Sequence, residues 1–330
     1  MLRSLVAEQT TSDSENQNIW RNLPLERLET ALTEGHWMWM DVTDPVEDEL
    51  RWLETVLKLH PAVIEDLHRQ DRRPALMVYP DYVFLSLFQP CIHLNRVESE
   101  EIHCLIGERF FVTVRTANSR AVDGTYERVA QSPASLQRGA AYSMYLVAQF
   151  VVDSYYPLLD KISLTLNELE EQVLKGDNHS PERTTYLIKQ QVITLREMLA
   201  PQRELLSNLI GEERFNRTPE NRDLFRHLYE RTLRVYDVID SQRELSNNVL
   251  DLVESQESTR LTHAVNRLTV FSMIFLPLTF LISVFELNFV TTNSSLVIPM
   301  SGWHAFVLIV VLMTVSAGGM VLFFRYKGWL

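Results

Sequence analysis

Seven side chains near the C-terminal end of the sequence fall on one line: Thr262, Val265, Leu268, Ser272, Leu276, Thr279 and Ser283. Their spacing of 3, 3, 4, 4, 3 and 4 residues keeps them on one face of an α-helix. The line is mainly apolar at its N-terminal end and gains hydroxyls toward Glu286 and Asn288. Repeated around an axis of symmetry, it would stack rings of amide oxygen, hydroxyl and then hydrocarbon. Rings of oxygen ligands select cations, and a narrow apolar ring can gate by dewetting. The spacing alone does not make a pore, because Ser and Thr are common in membrane helices.

Other residues with metal chemistry are more scattered. Cys91, His93, His103 and Cys104 offer soft ligands suited to Zn2+ if their strands pair through a hairpin at 95–99. Alternation along a strand puts His103 and Cys104 on opposite faces, so the four cannot all converge, and structural roles are the simpler reading. His263 is a candidate metal or proton site, since imidazole titrates near neutral pH. Asp223 and Asp237 are candidates for regulatory ions between subunits, against a plain solvated helix face. No glycine-rich phosphate loop or nucleophile motif is present, which argues against an ATP-driven pump or a hydrolase. The chain reads as a non-enzyme without a resident cofactor.

The line of hydroxyls lies in the first of two uncharged apolar runs. Leu268–Phe285 and Trp303–Phe324 contain no Lys, Arg, Asp or Glu. About 20 apolar residues cross a hydrocarbon core, so both can span a bilayer and meet lipid. Arg260 and Arg267 precede the first run, Arg325 and Lys327 follow the second, and 286–302 between them holds no Lys or Arg. By the positive-inside rule both termini face the cytoplasm and the loop faces outward. Trp303 and Trp329 suit interfacial anchors. The expected organisation is a first span at about 267–287, an outer loop at 288–302 and a second span at 303–324. No stretch of signal-peptide length opens the sequence, so no cleavage or export is expected.

The residues before the spans carry nearly all of the net charge of −12. An acidic domain argues against nucleic acid, whose binding needs Lys and Arg to displace counterions. Both cysteines fall in this part and are expected as reduced thiols. Residues 1–18 read as a disordered tail. Residues 19–215 read as an α/β and helical domain: a strand at 37–42, a helix over 46–59, strands at 82–88 and 101–115 turning at Gly107-Glu108, then helices over 140–174 and 181–209. Residues 216–266 read as a stalk. Between Pro219 and Pro277 lie 57 residues without Gly or Pro, with apolar positions at helical spacing. An unbroken helix of that count is about 85 Å long and runs into the first span. The alternative is two helices joined by a polar turn near 255–259.

The segment Ile274-Phe275-Leu276-Pro277-Leu278-Thr279-Phe280, followed by Phe285-Glu286-Leu287-Asn288-Phe289, resembles the pore helix of the CorA/ZntB family of divalent-metal transporters. So do His60-Pro61 through Glu65-Asp66, Arg73-Pro74, Tyr79-x-Asp81-Tyr82-x-Phe84-Leu85, and Val152-Asp153 with Tyr156-Pro157-Leu158-Leu159-Asp160. The ending Lys327-Gly328-Trp329-Leu330 leans toward the ZntB branch. The resemblance runs over essentially the whole chain.

It implies an α+β membrane protein: a cytoplasmic α/β domain, a long stalk helix continuous with the first span, and a homopentameric funnel around a central pore. Asn288, Glu286, Ser283 and Thr279 would form the mouth and filter, with Asn288, Glu286 and Thr279 as metal ligands. Leu276, Ser272, Leu268, Val265 and Thr262 would line the way to a cytoplasmic constriction. The family's signature glycine is Glu286 here. Glycine leaves a helix tightly at low cost, so the helix is expected to run further and Asn288 to be re-aimed. Five Glu286 carboxylates could form a ring attractive to dications, or each could be solvated at the membrane surface. The implied function is transport of divalent cations across the bacterial inner membrane, Zn2+ favoured over Mg2+ with Co2+ and Ni2+ admitted. The alternative is a poorly selective or non-transporting pentameric paralogue that acts as a sensor or envelope-stress channel.

Overall fold

The computed structural model describes residues 1–8, 19–68, 74–94, 96–132, 135, 138–175, 181–212, 218–286 and 302–328, with the side chains of 284–286 and 305 excepted. The chain divides into two compact units, Met1–Leu250 and Asp251–Leu330.

The first unit is built on seven strands: β1 (Leu2–Ala7), β2 (Ile19–Arg21), β3 (Trp37–Thr43), β4 (Leu76–Val78), β5 (Tyr82–His93), β6 (Arg96–Gly107) and β7 (Phe110–Arg115). Their order across the sheet is β2-β1-β3-β7-β6-β5-β4, and among the described residues only the β3–β7 pair is parallel. Along these strands alternate residues enter two separate cores. Trp39, Leu85, Cys104 and Phe111 point to one face, while Met40, Phe84, Leu105 and Val112 point to the other. A sheet buried on both sides explains why Trp37–Val42 reads as a nearly unbroken apolar run. Gly107 lies at the β6–β7 turn, where a Cβ would meet the Phe110 ring at 2.3 Å.

Three short helices, α1 (Leu25–Thr33), α2 (Glu47–Val56) and α3 (Pro61–His68), cover the Met40 face. The Trp39 face packs on α4 (Arg120–Gln131), α5 (Gly139–Asp153), α6 (Tyr155–Lys175), α7 (Pro181–Gly211) and the first part of α8 (Pro219–Glu286). The last helix is α9 (Gly302–Tyr326). The unit is therefore a three-layer α/β/α arrangement.

One expectation needs correcting, and one alternative falls away. The N-terminal stretch is not a disordered tail throughout: Leu2–Ala7 is a strand paired on both sides, next to the edge strand β2, and residues 9–18 lie outside the described residues. Leu5 and Val6 fill the two cores, while Arg3 bonds Asp41 at 2.8 Å. Polarity of the neighbouring residues hides this short alternating segment. The expected continuous helix is found, α8 running unbroken for 68 residues, so the alternative polar turn near 255–259 does not form. Thr259 there donates its hydroxyl to the Ser255 carbonyl at 2.9 Å, so the polar side chain is satisfied without breaking the helix.

Buried charge inside the sheet is paired. Asp41, fully buried, accepts from Arg115 at 2.9 and 3.2 Å and from Thr113 at 2.6 Å. Arg115 also reaches Asp123 at 2.7 Å, so two arginines face two aspartates. The outer edge of β5 is finished by a side chain. β4 pairs with Val83–Leu85, the Ser86 N–H donates to the Ala75 carbonyl at 3.0 Å, and beyond these Gln202 accepts from the Phe88 N–H at 3.1 Å and donates to the Phe88 carbonyl at 3.0 Å. Gln202 also donates to the Tyr155 hydroxyl at 2.8 Å.

Candidate metal-ion pathway

The second unit holds the end of α8 and all of α9. These helices bury little of their apolar surface within the chain: Leu268, Leu276 and Phe280 of α8 are 67%, 71% and 65% exposed, and Trp303, Val315 and Leu322 of α9 are 72%, 69% and 69%. Helices this long and this apolar, with so little packed against them, need a non-aqueous surrounding.

On α8 the faces are unequal. Val270 is buried, and Asn266, Ile274, Pro277, Leu278 and Leu281 are partly buried along one side. Thr262, Val265, Leu268, Ser272, Leu276, Thr279 and Ser283 are all exposed. At about 100° per residue, these two sets stand on opposite sides of the helix. His263, itself exposed, stands on the side of Val270 rather than with this line. A cleft of about 750 Å³ runs between α8 and α9, lined by Leu268, Ser272, Leu276 and Pro277 on one side and Gly319 and Phe323 on the other.

The hydroxyls on this helix have a defined polarity. Thr262 donates to the Ser258 carbonyl at 2.9 Å, and Thr279 donates to the Phe275 carbonyl at 2.9 Å. Each donor is thus used within the helix, and each oxygen keeps its lone pairs for an outside partner, the sense that suits a cation. Pro277 has no N–H, so the Met273 carbonyl loses its helical donor and adds another free acceptor in the span. Glu286 is the last residue of α8, so the helix reaches the position where the resemblance places a glycine. Asn288 lies outside the described residues, and so does the side chain of Glu286.

The cysteine–histidine reading fails on register. β5 and β6 do form a hairpin, but Cys91 pairs with Glu98 while Cys104 pairs with Leu85 and His103 with Ser86. His103 accepts from or donates to the Ser86 hydroxyl at 2.9 Å and stacks on Phe84, and burial pushes its pKa down to about 4. Burial pushes the Cys91 thiol up to about 11, and that of fully buried Cys104 higher still. None is a ready ligand, and among the described residues no cluster of three or more His, Cys, Asp or Glu is placed to hold a metal. Asp223 and Asp237 are exposed on α8. Sequence reasoning missed Gln202 and the Asp41–Arg115 group, whose partners are far apart in the chain and leave no local pattern.

The sequence profile of CorA-like Mg2+ transporter proteins matches residues 34–326. The chain belongs to this family. It is 27% identical over 320 residues to YfjQ of Bacillus subtilis, covering 97% of each chain. It is 28% identical over 276 residues to the cobalt/magnesium transport protein CorA of Thermotoga maritima, covering 82% of this chain and 77% of that one. The solved CorA magnesium transporter of Methanocaldococcus jannaschii superposes with a TM-score of 0.80 at 18% identity, over 99% of this chain and 98% of that one. The long helix and the two C-terminal apolar helices of this CorA-type chain thus have a full-length structural counterpart.

Proposed function

We propose that this protein carries divalent metal cations across a membrane through an axial pore shared by five copies, lined by Thr262, Val265, Leu268, Ser272, Leu276, Thr279 and Ser283. The observation that supports this reading is the exposure of that whole line in a single copy, where Leu268, Ser272 and Leu276 also border the cleft toward α9. A transported ion would meet the outer mouth at Asn288 and Glu286, pass the hydroxyls, and cross an apolar ring at Leu268 before the cytoplasm. The surrounding bilayer is the bacterial inner membrane with both termini inside, supported by the basic flanks Arg260, Arg267, Arg325 and Lys327.

Zn2+ is proposed ahead of Mg2+, supported by the ZntB-like ending and by the carboxylate where the family carries glycine. Two relatives are named for cobalt and magnesium or magnesium alone, so those ions belong in the same competition. Purified protein in liposomes loaded with a metal-sensitive dye should show flux of Zn2+, Co2+, Ni2+ and Mg2+ above empty vesicles, with Zn2+ fastest at low concentration. Leu268→Ala should raise the leak several-fold, because a wider apolar ring dewets less readily. The replaced glycine also favours a second reading, a pentameric relative that senses metal or conducts without selectivity. Equal passage of monovalent and divalent cations, or none of either, would favour it.

A further inference from the structure

The hydroxyls along α8 are not alike. Thr232, Thr259, Thr262, Thr269 and Thr279 each donate back to the carbonyl four residues earlier, at 2.8 or 2.9 Å. A threonine in a helix has few side-chain rotamers, and one of them brings its Oγ1 to that carbonyl. Ser272 makes no such bond. Its side chain is exposed, and its hydroxyl has no hydrogen-bond partner among the described residues. The two kinds of hydroxyl therefore differ in what they offer outward. Thr279 presents lone pairs alone, which suits a cation, whereas Ser272 keeps both a donor and an acceptor, which suits water.

The position of Ser272 gives that difference a consequence. It stands four residues from Leu268 and four from Leu276, about 6 Å from each along the helix axis. Both leucines project from the same side of α8 and are 67% and 71% exposed. With an apolar residue between them, the two would bound a continuous hydrocarbon stretch of about 12 Å. A narrow apolar stretch expels water, and that expulsion is the barrier to an ion travelling with its hydration shell. A free hydroxyl midway divides the stretch into two short rings.

We infer that Ser272 is a wetting step inside the pathway: its hydroxyls hold water between the Leu268 and Leu276 rings, so that a hydrated divalent cation crosses two short apolar rings instead of one long one. The inference rests on the transport reading, because it needs the exposed lines of several copies to enclose an aqueous path. Ser272 positions the ion's water and is not itself a metal ligand. The same side chain borders the cleft toward α9, where Gly319 leaves open space. The experiment separates these two surroundings.

Full-length protein in dye-loaded liposomes reads Zn2+ and Mg2+ entry. Ser272→Ala removes the hydroxyl without adding bulk that could block a pore, and should slow both ions about fivefold, the worth of one hydrogen bond expressed as a rate. Half-saturation, set at the outer mouth, should stay where it is. Ser272→Thr keeps a hydroxyl but should spend its proton on the Leu268 carbonyl, as the other threonines of α8 do, and its flux should lie nearer the alanine value. In a Leu268→Ala background one ring is already widened, so Ser272→Ala should there cost less than about twofold. Cd2+ should block Ser272→Cys and spare Ile274→Cys, whose position is on the half-buried side.

Unchanged flux in Ser272→Ala, threonine equal to serine, or a Ser272→Cys protein indifferent to Cd2+ would each overturn the inference. An equal loss from Ser272→Ala with and without Leu268→Ala would assign the serine to packing against α9 instead. Vesicles that conduct normally with Ser272→Ala defeat the wetting step alone. Vesicles that never conduct, with the unaltered protein included, defeat the transport reading and the wetting step with it.

Discussion

Glu286 ends α8 at the position where the family pattern has glycine, and a carboxylate there changes what an arriving ion meets. If five of them ring the mouth, neutralising them should lower local cation concentration more than it lowers maximal rate. Glu286→Gln is thus expected to reduce uptake several-fold at low metal and little at saturating metal, read in dye-loaded liposomes; identical curves would make Glu286 a bystander. In the sheet domain His103 predicts an acid response. Its folded pKa of about 4 lies below the ordinary value of 6.5, so the fold holds the neutral ring. The unfolded chain binds the extra proton first as pH falls. Stability from this group is full above pH 6.5 and declines between 6.5 and 4, by at most about 3 kcal/mol for a shift of this size. Thermal unfolding of the detergent-solubilised protein should fall across that window, and His103→Asn should flatten part of the slope. A variant with the same slope would place the acid response elsewhere.

At the scale of elements, Gln202 shows how a long strand can end without a neighbour. Its amide supplies a donor and an acceptor to Phe88, two residues beyond the last backbone bond to the β4 side, from Ser86 to Ala75. Gln202→Ala should leave both backbone groups without this partner and cost about 2–4 kcal/mol, measured by denaturant or thermal unfolding. Loss of less than about 0.5 kcal/mol would mean that water replaces the side chain. The continuity of α8 was legible because 57 residues pass without a helix breaker. β1 was not legible, because six residues of strand among polar neighbours give too short a period to read. The β5–β6 hairpin could be expected, yet its register could not. A shift of a few residues would have moved Cys91 toward Cys104, and only the pairing of Cys91 with Glu98 rules it out.

For the whole molecule, the decisive prediction concerns sidedness. With basic flanks at both inner ends, a cysteine at Ser295 should react with an impermeant thiol reagent added to intact spheroplasts. One at Lys327 should react only after permeabilisation. The opposite pattern would invert the topology and with it the direction in which the pathway is read. Five copies around an axis would set the exposed lines of α8 face to face, a geometry no single chain can display.

The sequence alone determined that two C-terminal segments are apolar enough to leave water, that a long helix leads into the first, and that one side of that helix gathers hydroxyls. These are properties of composition and period, which each residue carries wherever it is placed. Tertiary structure decided the rest: that the first residues join the sheet, that Asp41 faces Arg115, that Gln202 completes an edge, and that Asp153 of α5 meets Arg231 of α8. Such pairs join residues more than 100 positions apart, as Gln202 and Phe88 are at 114. A contact that distant depends on how every intervening element packs, so no local pattern can announce it.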